Sequence, residues 1–448
     1  MREGWRAEYM GGKGLAYRYL LDNLARGLDP FDPESEIVFM TGPLAGTLVP
    51  TSSRMAVALR SPISGSAACG VVACGAAADL KFAGYDGIIV SGRASSPTFV
   101  YVTDQRVTFE RASLLWGKGT HETERTIQQK KWTYMARTLT IGPAGENLVP
   151  YACITADGRG QVGETGIGAV MGSKNLKAVA IRGQAAVHVA ALEGFLGLVQ
   201  GAWGDGARGD WRSWSDLPSS PEATAPDVAM PAAGEYRGNE ALGRTSAEIQ
   251  LMYSAICSFC PLGRSRPAAS TGVVTSRGVH YCTTGALGAD RETGKVDKLA
   301  ELPRLCDDLG LDTISAAAAI GFALDGTEGS VAESEPLVPD VESLESAVRL
   351  LASGSDVGAR HVATASAKKI HDVEGGRGSR SGEDAEHLRA AVIMDSLILC
   401  NRWHPPLDTV AAALAAVTGS ASTPDSLLEA SDEILDLERL AAATGLRH

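Results

Sequence analysis

The chain is predicted to be an α+β multidomain protein, β-rich at the N-terminus and continuing into two mainly α-helical domains. Three observations carry this. First, 448 residues, 44% of them apolar and 21% charged, supply material for about three cores at roughly 150 residues per domain. Second, short runs rich in β-branched residues, punctuated by glycine, fill residues 11–183, whereas helical periods dominate beyond residue 246. Third, there are 51 glycines in 448 residues, against roughly 7% in average usage, with no collagen-like period. Such an excess implies many tight turns or close backbone approaches.

Taken in order, the pattern predicts a first helix at residues 14–24 and strands at 37–40, 55–59, 87–90, 98–102 and 178–181. From about 200 to 246 the composition is that of a loop or linker, with G-D-G-A-R-G-D at 204–210 and P-S-S-P-E-A-T-A-P at 218–226. Helical spacing then recurs at 247–256, 298–309, 313–324, 341–352, 385–399, 409–417 and 426–440. A second glycine-rich interruption lies at 372–384. The expected domains are therefore 1–196, 197–370 and 371–448. No internal repeat is found at solenoid periods.

A formal charge of -12 argues against nucleic-acid or anionic-membrane partners, both of which select basic surfaces. No stretch approaches 18 consecutive apolar residues, and the first residues lack the apolar core of a signal peptide. Eight cysteines are too few for a disulfide scaffold in a chain of this length, so a cytoplasmic location is expected. Cys257 and Cys260 form a C-x-x-C pair, whose thiolates can grip a zinc ion or two irons of a cluster. Two buried cysteines at a helix end would give the same spacing. A zinc site lacks its second pair, and a thioredoxin-like redox pair lacks a preceding βαβ pattern.

Longer motifs are more specific. Residues 81–92 (K-F-A-G-Y-D-G-I-I-V-S-G), 141–149 (I-G-P-A-G-E-N-L-V), 168–183 (G-A-V-M-G-S-K-N-L-K-A-V-A-I-R-G) and 307–315 (D-D-L-G-L-D-T-I-S) stand in one order with G-G-K-G at 11–14 and T-G-P-L-A-G-T at 41–47. Together they resemble the aldehyde:ferredoxin oxidoreductase family, densely over residues 11–330 and thinly to about 404. The resemblance implies a tungsten (or molybdenum) ion held by two pterin dithiolenes beside one [4Fe–4S] cluster. It also implies oxidation of small aldehydes to carboxylic acids, with ferredoxin as electron acceptor. The N-terminal β domain would be the cofactor base, with two helical domains supplying ligands from the other side, and glycines would let the backbone approach the flat cofactor.

Carried over by position, Cys257, Cys260 and Cys400 fall on cluster ligands, while the family's remaining cysteine is here Arg264. Asp307, Gly310, Leu311 and Asp312 keep one pterin-binding motif. Asp395 opens a second, of D-x-x-G-L-C type, whose glycine is Ile398. Arg54 falls near the cofactor phosphates. Other positions differ: Val71 and Ala73 replace an asparagine and a glycine, Glu164 stands before Gly168 where R-G-G is usual, and Cys282 replaces an acidic residue near the metal. The L-P-x-x-D-P-R-G block with its histidine has no counterpart at about 370–390. His371, His387 and His404 are the nearest remaining candidates for proton handling, though each reads more simply as a surface or capping histidine and Cys306 as a buried helix residue, so no catalytic residue is assigned. Cys282, Cys306 or a water are the candidates for the missing cluster ligand. Two functional classes stay open: an oxidoreductase with these cofactors, and a non-catalytic paralogue serving as scaffold or partner subunit. A homo-oligomer or a complex with an active relative is compatible with either. The net charge gives no general attraction to an acidic ferredoxin, so docking would need a locally basic patch.

Overall fold

The computed structural model describes residues 4–130, 133–158, 160–163, 165–207, 250–251, 268–270, 273–274, 296–324, 341–354, 382–400, 403 and 405–444. It is a mixed α/β structure, β-rich in its N-terminal part and helical in its C-terminal part. Two short helices, α1 (Trp5–Tyr9) and α2 (Gly12–Leu24), precede a sheet made of β1 (Ile37–Met40), β2 (Arg54–Arg60), β3 (Ala67–Ala73) and β4 (Gly87–Val90), with α3 (Gly75–Phe82) between β3 and β4. The strand order is β3-β2-β1-β4, all antiparallel.

The second sheet adds β5 (Thr98–Thr103), β6 (Val107–Arg111), β7 (Arg137–Ile141), β8 (Ile154–Ala156), β9 (Gly160–Val162) and β10 (Leu176–Arg182). Helices α4 (Thr120–Gln129), α5 (Pro143–Glu146) and α6 (Ile167–Ser173) lie between its strands. Its order is β6-β5-β10-β7-β8-β9, and only β5 and β10 run parallel. The segment β9-β8-β7-β10, with α6 before its last strand, repeats the topology of the whole first sheet. The sequence repeats with it: Gly42-Pro43 and Leu48-Val49-Pro50 recur one hundred residues on as Gly142-Pro143 and Leu148-Val149-Pro150. The N-terminal part is thus two copies of one β-loop-β-β-α-β unit. Phe39, Val57, Val72 and Leu80 of the first copy share a single core with Leu139, Ile154, Ile167 and Val179 of the second.

The copies meet at β3 and β9, where two glycines replace side chains. A Cβ at Gly70 would lie 2.5 Å from Val162 Cγ1, and one at Gly160 would lie 2.6 Å from Val72 Cγ2. Beyond the sheets come α7 (Leu192–Ala207), a small sheet of β11 (Gln250–Leu251), β12 (Ala268–Ser270) and β13 (Val273–Val274), then α8 (Val296–Leu309), α9 (Thr313–Leu324), α10 (Val341–Ser353), α11 (Gly382–Leu397), α12 (Leu407–Thr418) and α13 (Pro424–Ala443). Helices α8–α10 pack on the second copy through Leu302, Leu311, Ile320 and Val348. Helices α7 and α11–α13 pack on the first copy, with Ile398, Leu437 and Ala441 against Leu15, Leu20, Val38 and Ala56.

Two expectations change. The helical period read at 247–256 is strand at Gln250–Leu251, because local periodicity loses to pairing with β12. The loop composition read from residue 200 begins too early, since α7 continues to Ala207. The glycine excess also has a visible cause within the protein. Gly12 admits the Asp395 carbonyl at 2.5 Å from where a Cβ would sit, and Gly42 admits that of Leu397 at 2.7 Å. No helix among the described residues is long and apolar enough to cross a membrane.

Candidate active site

Helices α8 and α11 end in the same way. Gly310 (φ 73) and Ile398 (φ 63) adopt the left-handed conformation just past each helix. The next N–H reaches back five residues, Leu311 to the Cys306 carbonyl at 2.9 Å and Leu399 to that of Met394 at 2.8 Å. This is the Schellman termination, which satisfies carbonyls the helix leaves without partners. Asp307 and Asp395 occupy equivalent places in the two last turns. A carboxylate there faces the negative end of the helix dipole, so each needs an outside partner.

The duplicated Gly-Pro loops receive these turns. A Cβ on Gly142 would overlap the Leu309 carbonyl, and one on Gly42 would meet the Leu397 carbonyl and Ile398 Cγ1. Ten residues or less beyond each Gly-Pro, the loops bond the residue after each leucine. The Cys400 N–H donates to Thr51 Oγ1 at 3.1 Å, and the Asp312 N–H donates to the Tyr151 carbonyl at 3.2 Å.

The aspartates find different partners. Arg54 Nη1 lies 3.6 Å from Asp395 Oδ1 and donates to the Leu399 carbonyl at 2.8 Å. In the other half Gln161 Nε2 bonds Asp307 Oδ1 and reaches the Leu311 carbonyl at 3.5 Å. Gln161 therefore takes the place of Arg54 without its charge. Burial consequently dominates at Asp307 and raises its pKa to about 7, although His121 and the Gln161 bond pull the other way. Its neighbour Asp308 is held below the usual range: burial opposes ionisation, but His121, with Nδ1 at 3.2 Å, outweighs it.

Asp312 and Cys400, equivalent in sequence, diverge in use. Asp312 Oδ2 accepts the Ser315 N–H at 2.8 Å and so caps α9, while Gly163 leaves room for its carboxyl. Among the described residues Cys400 makes no such cap, and its side chain is partly buried and outside any disulfide. Beside Asp395 sits a partly buried lysine that sequence reasoning had not selected. Lys13, in the first turn of α2, pairs with Glu438 of α13 at 2.8 Å. Burial works against its charge, yet Glu438 and Asp395 outweigh it and keep its pKa above the usual value. Across from it, burial pushes the Cys69 thiol up to about 12.

The structure thus brings Arg54, Asp395 and Cys400 together in one half, and Asp307, Gly310, Leu311 and Asp312 in the other. Cys257, Cys260, Glu164, Arg264, Cys282, His371 and His404 lie outside the described residues. Cys306 is fully buried in α8, and His387 is exposed on α11. Among the described residues, no three His, Cys, Asp or Glu side chains form a metal-holding group. Lys13, Thr51, His121 and Gln161 are the site residues that sequence reasoning missed.

Fold and site together define a duplicated β base on which two helix-terminal aspartate turns dock in equivalent ways. Comparison with known proteins places this arrangement: the chain belongs to the aldehyde ferredoxin oxidoreductase family. The model of the family's N-terminal domain matches residues 1–183, and that of its domains 2 and 3 matches residues 232–369. The tungsten-containing aldehyde ferredoxin oxidoreductase of Pyrococcus furiosus is 34% identical over 340 residues, 74% of this chain and 56% of that protein. An aliphatic sulfonate oxidoreductase, WOR-like subunit, of the same organism is 27% identical over 365 residues, covering 74% of this chain and 57% of that one. The chain therefore spans little more than half the length of these relatives. Among solved structures, the active site complex BamBC of benzoyl coenzyme A reductase superposes with a TM-score of 0.79 at 20% identity, covering 100% of this chain and 86% of that one.

Proposed function

We propose that the chain is an oxidoreductase that converts aldehydes to carboxylic acids at a tungsten or molybdenum bis-pterin centre, passing electrons through a [4Fe–4S] cluster to ferredoxin. The observation that carries this reading is the pair of quasi-equivalent turns on duplicated loops, because two like half-sites suit a cofactor with two like halves. Their chemistry fits a pterin. The Asp307 carboxyl is partly buried with an amide as its hydrogen-bond partner, which favours a neutral N–H edge over a free cation. The Ser52 hydroxyl, fully buried beside Arg54, finds no partner among the described residues and is free to bond a ligand. Arg54 would face the cofactor phosphates from the first half, with Cys400 joining Cys257 and Cys260 on the cluster.

Bound, such a centre supplies the two-electron change that turns an aldehyde and water into a carboxylic acid, two protons and two electrons. The chain's own part is to orient and to hold protons. Arg54 and Gln161 fix the two turns by bridging a carboxylate and a carbonyl. Asp307, with its pKa near 7, is the described group in these turns best suited to hold or release a proton at neutral pH.

A second reading, a non-catalytic scaffold or partner subunit, is favoured by Val71. It stands where the family has an asparagine and packs into the apolar cluster of α2 and α13. Elemental mass spectrometry on protein expressed with iron, tungstate and molybdate separates the two. Iron together with tungsten or molybdenum, with the iron lost in Cys400→Ala, supports the enzyme. Folded protein free of all three metals overturns it.

A further inference from the structure

The second sheet ends at β6, which among the described residues pairs with β5 and with no other strand. Its residues keep an unbroken antiparallel register with β5, from Val102 opposite Val107 to Thr98 opposite Arg111. Backbone alternation fixes which groups face outwards. The Thr103 N–H donates to the Arg106 carbonyl at 2.9 Å and the Ala112 N–H to the Pro97 carbonyl at 2.8 Å, so the even-numbered residues of β6 bond inwards. The N–H and C=O groups of Val107, Phe109 and Arg111 therefore point away from β5. Val107 and Phe109 share the face of Val100 and Val102, which belong to the main core, yet they are 45% and 77% exposed. Edge strands are commonly blunted against pairing by proline, lysine or a bulge. In β6 none of these is present.

We propose that β6 is a dimerisation edge, pairing antiparallel with β6 of a second copy of this chain about a two-fold axis at Thr108. Charge selects this register. With Thr108 on the axis, Val107 lies opposite the partner's Phe109 and Arg106 opposite the partner's Glu110, and symmetry makes each pair twice. The pairs of Val107 with Phe109 also exchange the backbone hydrogen bonds that the outward groups offer. The Thr108 hydroxyl holds Glu110 on the face where Arg106 meets it, donating at 3.0 Å. An axis at Val107 sets Asp104 against Glu110, one at Phe109 leaves Glu110 against Thr108, and one at Glu110 brings two carboxylates together. Of these, the Thr108 axis alone combines apolar with oppositely charged pairs. The two six-stranded sheets join there into one continuous sheet across both chains.

Sedimentation equilibrium of the purified full chain tests this, whether or not the protein holds metals, with circular dichroism checking that each variant is folded. The chain should be mostly dimeric at about 100 μM, as suits a small interface. Phe109→Lys puts a charge on the exposed edge and should weaken the dimer about tenfold or more. Arg106→Glu and Glu110→Arg each set like charges face to face at two places, and each should weaken it about threefold to tenfold. Combined in one chain, these two substitutions restore opposite charges, so affinity should return to within about twofold of the original. Ile89→Lys, at an exposed position of β4 on the edge of the other sheet, should leave the dimer unchanged. A monomer at 100 μM, a dimer unaffected in folded Phe109→Lys protein, dissociation by Ile89→Lys, or a double charge variant no tighter than the single ones would overturn the assignment.

Discussion

Ile398 is a β-branched residue in the left-handed conformation, which costs about 1–2 kcal/mol relative to glycine. It persists because its side chain is fully buried against Gly12 and Gly42. Two substitutions separate strain from packing. Ile398→Ala keeps a Cβ in the strained conformation and loses the packing, at a cost of about 2–5 kcal/mol. Ile398→Gly loses the same packing but sheds the strain, against an entropic penalty of about 0.4–1 kcal/mol. The glycine variant should therefore be more stable than the alanine variant by about 1 kcal/mol. An ordinary helical position gives the opposite order, with glycine worse by about 0.8–1 kcal/mol. Urea unfolding followed by tryptophan fluorescence measures both, and Trp403 lies in the helical cluster next to this turn. A glycine variant no more stable than the alanine variant would refute the argument that backbone conformation, rather than packing alone, sets the energetics here.

Asp307 has a folded pKa of about 7 against about 3.9 unfolded, so the stability tied to its protonated form is complete below pH 4 and is lost as pH rises towards and through 7. Asp307→Asn should lessen the fall in thermal midpoint between pH 5 and pH 8, and an unchanged pH profile would contradict a carboxyl whose desolvation outweighs its partners Gln161 and His121. Lys177 is wholly buried, bonded to Glu146 and, at 2.7 Å, to the Lys118 carbonyl. Lys177→Met should cost about 3–5 kcal/mol by stranding the Glu146 charge, and adding Glu146→Gln should restore part of it in a double-mutant cycle.

Much of the fold was legible in the sequence. The strands read at 37–40, 87–90 and 178–181 and the helices ending at Leu24, Leu309 and Leu324 are seen as expected, because β-branched runs favour strands and alanine- and leucine-rich runs favour helices through local propensity. Less legible were β8 and β9, three residues each, whose strand character comes from pairing with neighbours rather than from composition. The duplication has no short solenoid period, and its signature in the sequence is G-P and L-V-P at a fixed offset of one hundred residues. At the site, the aspartate turns were found through motif likeness. Gln161 was not, since it does the work of Arg54 from a different strand and nothing local marks it. Lys13 was hidden for a similar reason: its partner Glu438 lies at the far end of the chain.

The two docked turns also bear on the order of assembly. Within each β copy, the strand pairs β1–β2, β2–β3, β7–β8 and β8–β9 join neighbours along the chain, so their loops close at small entropic cost. The Arg54 bond to Leu399 spans 345 residues and the Gly14 bond to Ser396 spans 382. Such distant closures are slow. The base should therefore acquire amide protection in pulse-labelling experiments before the amide of Leu399 does, and a nascent chain released before α11 is made would carry a folded platform with half of its clasp still missing.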